Sequence, residues 1–261
     1  MIPGTCCIFL PWQIALSLHD FCSNDAAGVL HMKKAIIDKT AFHFLKKIRD
    51  NNNRDWFNAH KAEYTAAYES MIVFADALLE KMQAHDRIET PSGKKSLFRI
   101  YRDVRFSKDK TPYQTCWHGH FSRATKKLRG GYYYHIQPGN TYVGGGFWGP
   151  NAEDLKRIRQ DIDYNHTDWR KMLANKKIKN TFGALAGEKL KTAPQGYLQD
   201  HPAIDLLRHK QFVLTHRFTD KEVLSADFLK NLNETMKNFR PFFDYMSEVL
   251  TTDANGISLV D

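Results

Sequence analysis

The chain has 261 residues, 42% hydrophobic and 26% charged, with 38 Lys/Arg against 29 Asp/Glu and a formal net charge of +9. These are the proportions of an ordinary globular protein, and they exclude a low-complexity or collagen-like chain. No apolar run reaches the roughly 20 residues of a membrane-spanning helix. Four cysteines without a CxxC spacing (Cys6, Cys7, Cys22, Cys116) argue against a disulfide framework or a structural zinc module and fit a reducing, cytoplasmic setting.

The positive charge is local. Residues 94–150 carry 11 Lys/Arg and two acids, whereas residues 32–93 (ten basic, nine acidic) and 151–261 (17 and 16) each come to +1, and residues 1–31 to −2. A field concentrated over one region favours an anionic partner; a solvated basic face that aids solubility is the plainer alternative.

In chain order, residues 1–31 differ from the rest. They hold an apolar run from Cys7 to Leu18 interrupted by Pro11, with no basic stretch before it and no small-residue cleavage site after it. Met32-Lys33-Lys34 reads as the natural start, the upstream part as a disordered or mis-assigned extension, and residues 32–261 as a single α+β domain. Thr40 is a cap for a first helix with Phe42, Phe44, Leu45 and Ile48 on its apolar side. Asn51-Asn52-Asn53 ends that helix and caps the next, an amphipathic helix over residues 54–85. Residues 97–106, 114–121, 131–137 and 141–148 read as strands, the last two joined by a Pro138-Gly139-Asn140 turn. Gly144-Gly145-Gly146 inside the last marks a bulge or a close backbone approach. Asn151 opens a helix with Asp154 as capping acid, and further helices fall near 167–173, 177–185 and 203–209, the last with Asp200 as its cap. Residues 212–218 alternate as a fifth strand, and Ser225 caps a final helix that Pro241 kinks or restarts. Strands linked by short turns predict an α+β fold: an antiparallel sheet of about five strands with helices mainly on one face.

The densest chemistry is in FRIYRDVRFSKDKTPY (98–113), with five cations, two carboxylates and four aromatics. Read as a strand, it puts Phe98, Ile100, Val104 and Phe106 on one face and Arg99, Tyr101, Asp103 and Arg105 on the other. Arg102 falls on the apolar face, so it must be paired or face a cavity. Guanidinium forks and lysine point charges bind phosphate or carboxylate, which makes Arg99, Arg102, Arg105, Lys108 and Lys110 candidate ligands, Tyr113 an added hydroxyl, and Asp103 or Asp109 candidate acid–base groups. An internal Arg–Asp network is the structural alternative. Cys116, His118 and His120 alternate and could share a strand face as metal ligands, but no carboxylate lies close in sequence, and no metal is expected. No GxSxG, Walker loop or HExxH is present, and the glycine run lacks dinucleotide-fingerprint spacing, so no cofactor is expected. Twelve aromatics between 94 and 150 could stack bases in a basic groove.

Several segments together carry a resemblance: FLKKIRDNNNRDWF (44–57), LFRIYRDVRFSKDKTPY (97–113), GYYYHIQPG, GGGFW, LKRIRQDI (155–162) and GYLQDHPAIDLLRHK (196–210). The chain resembles the bacterial "domain of unknown function 2461" family over residues 40–250. Arg99, Arg102, Asp103, Arg105, Phe106, Lys108, Asp109, Lys110, Pro112 and Tyr113 match its central pattern, as do Trp56, Phe57, Asp200, His201, Pro202 and Lys210. Cys116 and His118 lie outside that pattern, and the resemblance implies no activity. The leading expectation is a small anionic, phosphorylated ligand held by residues 102–113 with Asp200, His201 and Lys210. The alternatives are a nucleic-acid-binding module on the same basic region, or an internal ion-pair network in a protein-binding protein. No membrane partner is expected, and nothing sets an oligomeric state.

Overall fold

Capping chemistry sets the first boundaries. In the computed structural model, which describes residues 35–253 and 256–260, α1 (Lys39–Asp50) is capped by Asp38, whose carboxylate accepts from the Thr40 amide at 2.7 Å and hydroxyl at 2.8 Å. Thr40 is therefore the capped residue and not the cap. Asn51 ends α1, and Asn53 caps α2 (Arg54–Ala59) through the Trp56 amide. The helix expected over 54–85 is broken at His60 (φ −110°, ψ 20°), whose ring stacks on Trp56 and bonds the Trp56 carbonyl at 2.8 Å. After that break α3 runs Lys61–Gln83 and buries Met71, Phe74, Leu78 and Met82 at helical spacing. Ser92 caps the single turn α4 (Gly93–Ser96). The expectations for residues 1–31 fall outside the described residues.

The sheet has four antiparallel strands in the order β1 (Trp117–Ser122), β2 (Gly131–Ile136), β3 (Thr141–Phe147) and β4 (Phe212–Phe218). Of the five expected strands, the first, residues 97–106, does not form. That segment meets its neighbours only at isolated bridges, Leu97 to Gly119 and Tyr101 to Tyr113. Two interactions replace a ladder. The Asn52 amide donates to the Tyr113 carbonyl at 2.9 Å and accepts from the Tyr113 amide at 3.0 Å, the pair of bonds a neighbouring strand would make. Arg102, meanwhile, turns back into its own loop. Isolated bridges also mark both outer edges of the sheet: Ile88 to Arg123 beside β1, and Ala186 to Val213 beside β4.

The remaining helices are α5 (Ala152–Leu173), α6 (Lys176–Phe182), α7 (Ile204–Leu207), α8 (Asp220–Val223), α9 (Phe228–Lys237) and α10 (Arg240–Thr251). Asn151 caps α5 by accepting from the Asp154 amide, and a kink at Asn165 joins what the sequence reads as two helices. Asp200 and Ser225 are not caps. His201 takes the Ala203 amide ahead of α7, and the Ser225 hydroxyl bonds the Glu222 carbonyl ahead of α9. Pro241 sits in the first turn of α10, restarting the chain as a new helix.

Register decides which side chains share a face. Trp117, Phe121, Tyr132, Tyr134, Ile136, Val143, Phe147, Phe212 and Leu214 all point to one side and are buried. Phe44 of α1 and Tyr64 of α3 stack on Trp117, while Phe239, Phe242 and Phe243 pack on Tyr132 and Phe147. The glycine run keeps a regular register; close approach is its role. A Cβ on Gly145 would lie 2.7 Å from Phe243 and 2.8 Å from Phe239. Gly146 has φ +133°, a region that L side chains rarely adopt.

Behind this layer lies a buried ion network. The Arg123 side chain is 0% exposed, donates to Asp86 (1% exposed) at 2.8 Å and to Asp244 at 2.8 Å, and its Nη1 donates to the Arg129 carbonyl. The Tyr132 hydroxyl donates to Asp86 at 2.6 Å, and Arg240 closes the cluster. The described residues belong to one compact unit, Lys34–Asp261. None of their helices is long and apolar enough to cross a membrane.

Candidate nucleic-acid interface

The basic segment satisfies much of its own charge. Arg102, 23% exposed, donates to Asp109 at 2.5 Å and to the Thr111 carbonyl and hydroxyl, which answers its place on the apolar face. Asp109 also accepts from the Thr111 amide and hydroxyl, and these bonds with the Arg102 guanidinium hold its carboxyl down at about 2. Arg105 forks onto Asp103 at 2.6 Å and lowers that carboxyl as well. Lys110 donates to the Val104 carbonyl. Tyr113 is buried and stacks on Phe57 with ring centroids 4.1 Å apart. Both aspartates thus stand ionised as fixed acceptors, whereas a general base at neutral pH works best with a value near 7.

Asp200, His201 and Lys210 are placed elsewhere. His201 bonds Asp163 of α5 at 3.0 Å and accepts the Ala203 amide, and Lys210 pairs with Glu188 at 3.2 Å. These residues precede β4, while residues 97–101 lie beside β1, at the opposite edge of the sheet. No hydrogen bond or ion pair among the described residues brings the two groups together.

What the fold does assemble is the second face of the sheet. His118, His120, Tyr133, His135, Tyr142 and Arg217 point there by register, and no described helix makes a ring contact with them. Trp148, 42% exposed, covers Gly144 and meets Tyr133 at 6.0 Å, while His135 stacks on Tyr142 at 4.8 Å. Phe98, 47% exposed, lies against His118 at 4.8 Å. Two adjoining depressions of about 370 and 450 Å³ share Glu89, His120 and Ser122; Lys95 and Phe98 line the first, Lys126 and Thr125 the second. Thr125 is in the left-handed region, φ +70°.

Of the cations between 94 and 150, Arg102, Arg105, Arg123 and Arg129 pair with carboxylates. Lys94, Lys95, Lys108, Lys126 and Lys127 form no ion pair among the described residues, and Arg99 acts on Asp103 only through longer-range attraction. Cys116 is buried and its thiol is pushed up to about 12, and the described residues contain no group of three or more side chains arranged to hold a metal.

Burial, with His135 alongside, pushes the His118 imidazole down to about 4, and burial also lowers His120 and His135. At neutral pH the His118, His120 and His135 imidazoles of this face are therefore uncharged, and its charge comes from Arg217 and from the lysines beside it. An unfolded histidine titrates near 6.5, so between 6.5 and about 4 the unfolded chain binds the extra proton. Stability is then expected to fall as pH drops from 7 to 5, above the carboxylate range. A urea midpoint that declines over this window in the parent chain, and less steeply in His118→Phe, checks the sign; identical slopes would refute it.

From the sequence, Tyr133 and Trp148 counted among the aromatics that could stack bases and His118 and His120 only as metal ligands, while His135 and Arg217 were missed. The alternation of Tyr133 with His135, facing that of His118 with His120 across one turn, was the available signal.

These features define a class: an α+β protein with a four-stranded antiparallel sheet, helices on one face and an aromatic, imidazole-lined surface on the other. The model of the family described as a conserved hypothetical protein (DUF2461) matches residues 40–245, and the chain belongs to that family. No curated protein and no solved structure matches it.

Proposed function

We propose that the protein binds single-stranded nucleic acid across the second face of its sheet. The observation that carries this reading is a sheet face on which no described helix makes a ring contact, with ring stations at Trp148–Tyr133, His135–Tyr142 and Phe98–His118 and, beside it, Lys95 and Lys126, which form no ion pair among the described residues. Every base offers a π-face to such a platform, and lysines beside it track the phosphates. The two depressions around His120 carry Lys95 and Lys126 at their sides and share the Glu89 carboxylate, so a backbone phosphate there sits toward the lysines and away from Glu89. A compact phosphorylated ligand at residues 102–113 is the weaker reading, because Arg102, Arg105 and Lys110 are already engaged within the loop.

The test is fluorescence anisotropy of a labelled 12-nucleotide strand against salt. Affinity is expected to fall linearly on a log–log plot by about 0.7 per phosphate neutralised, and Lys126→Ala with Lys127→Ala to reduce the slope by about 1 to 1.5. Absence of binding at low salt, or a slope untouched by the double variant, would remove the reading.

A further inference from the structure

One polar chain crosses this face, and its direction is dictated by chemistry. Arg217 can only donate; its Nη1 donates to Asn140 Oδ1 at 2.6 Å, so the Asn140 amide nitrogen must face outward and donates to Gln137 Oε1 at 3.1 Å. That same oxygen accepts from His135 Nε2 at 3.0 Å, which places the His135 proton on Nε2 and leaves Nδ1 as an acceptor. The Tyr133 hydroxyl lies 3.2 Å from His135 Nδ1 and 3.2 Å from His118 Nδ1. Having one proton, it donates to His135 and accepts from His118. His118 therefore carries its proton on Nδ1, and Nε2 is left as a bare lone pair. That nitrogen has no hydrogen-bond partner and almost no solvent contact. Every other link in the chain is satisfied; the last acceptor is not, and a buried polar atom without a partner is costly and uncommon.

Resting on the proposed nucleic-acid reading, we infer that His118 Nε2 reads an amino group on a base, so that the sheet prefers strands rich in adenine or cytosine over thymine or uracil. Adenine and cytosine present an exocyclic N–H donor where thymine and uracil present a carbonyl oxygen. A donor completes the relay, whereas a carbonyl sets two lone pairs against each other. Phe98 is the exposed ring against that imidazole, so a base reaching Nε2 takes its place or stacks on it.

Two measurements decide the matter. Anisotropy titrations with labelled 12-mers of dA, dC and dT should give dA and dC affinities about three- to tenfold above dT, the range of one hydrogen bond. His118→Phe, which keeps a ring but removes the acceptor, should bring the three together without abolishing binding. Equal affinities in the parent chain, or a preference that survives His118→Phe, would overturn the base-reading role while leaving strand binding intact; no binding to any strand would remove both. Nitrogen-15 spectra of the histidine rings provide the second readout, independent of any ligand. A proton on His118 Nδ1 is expected, moving toward a mixture of tautomers in Tyr133→Phe; a proton on Nε2 would overturn the inference.

Discussion

Replacing Arg123 by methionine is expected to lower the stability of the fold by about 3–5 kcal/mol, the usual cost of removing one partner from a buried ion pair. The guanidinium is wholly buried and holds Asp86, itself 1% exposed, together with the Arg129 carbonyl and Ser247. Without it, Asp86 retains the Tyr132 hydroxyl and Arg240 but loses its closest cation. Asp244 contributes little to the loss, because it is 49% exposed and water replaces its partner. In a domain of this size the deficit corresponds to a melting midpoint lower by roughly 10 °C. Methionine preserves much of the contact with the Phe243 ring, which Arg123 overlies at 5.4 Å, so the loss reports on charge more than on volume. A urea-unfolding difference below 1 kcal/mol would show that Asp86 is neutralised without Arg123.

Trp148→Ala is expected to weaken strand binding by about 1–3 kcal/mol, the worth of one stacked base, with little change in folding stability. Its indole is 42% exposed and rests on Gly144, so truncation uncovers backbone and opens no core cavity. Trp117 and Trp169 are buried and Trp56 is partly buried against His60, so the part of the tryptophan quenching on titration with a strand that disappears in the variant is the part that originates at Trp148. Unchanged affinity in a variant with an unchanged melting midpoint would take this ring, and the stacking platform with it, out of the proposal.

How far the sequence discloses this molecule depends on the kind of signal. Residues 212–218 were legible to the residue because their alternation is paired along its whole length with β3, and the asparagine run at 51–53 because caps act locally. The segment 97–106 alternates as well, apart from Arg102, yet Arg102 is turned into its own loop by Asp109, and Tyr113, which bridges to Tyr101, is held by Asn52. One asparagine side chain bonded to backbone 61 residues away took the place of a ladder, and a one-dimensional pattern contains no trace of that. The same reason explains the composite site expected from residues 102–113 and 200–210. Both stretches are rich in charge, but strand order sends them to opposite edges of the sheet. Conversely, the face with Tyr133 and His135 was obscured by its own ordinariness, since tyrosine and histidine on a strand are common and only register shows that they converge.

The bridges at the two sheet margins bear on how copies of this protein meet one another. A bare strand edge offers a row of amides and carbonyls to any extended chain, including an identical one. Here the Phe98 amide occupies the His118 carbonyl, the Glu89 amide occupies the Ser122 carbonyl, and the Ala186 amide occupies the Val213 carbonyl. Irregular chain thus plugs both margins at scattered points, and the four-stranded sheet is blunted against growth into an edge-to-edge fibre.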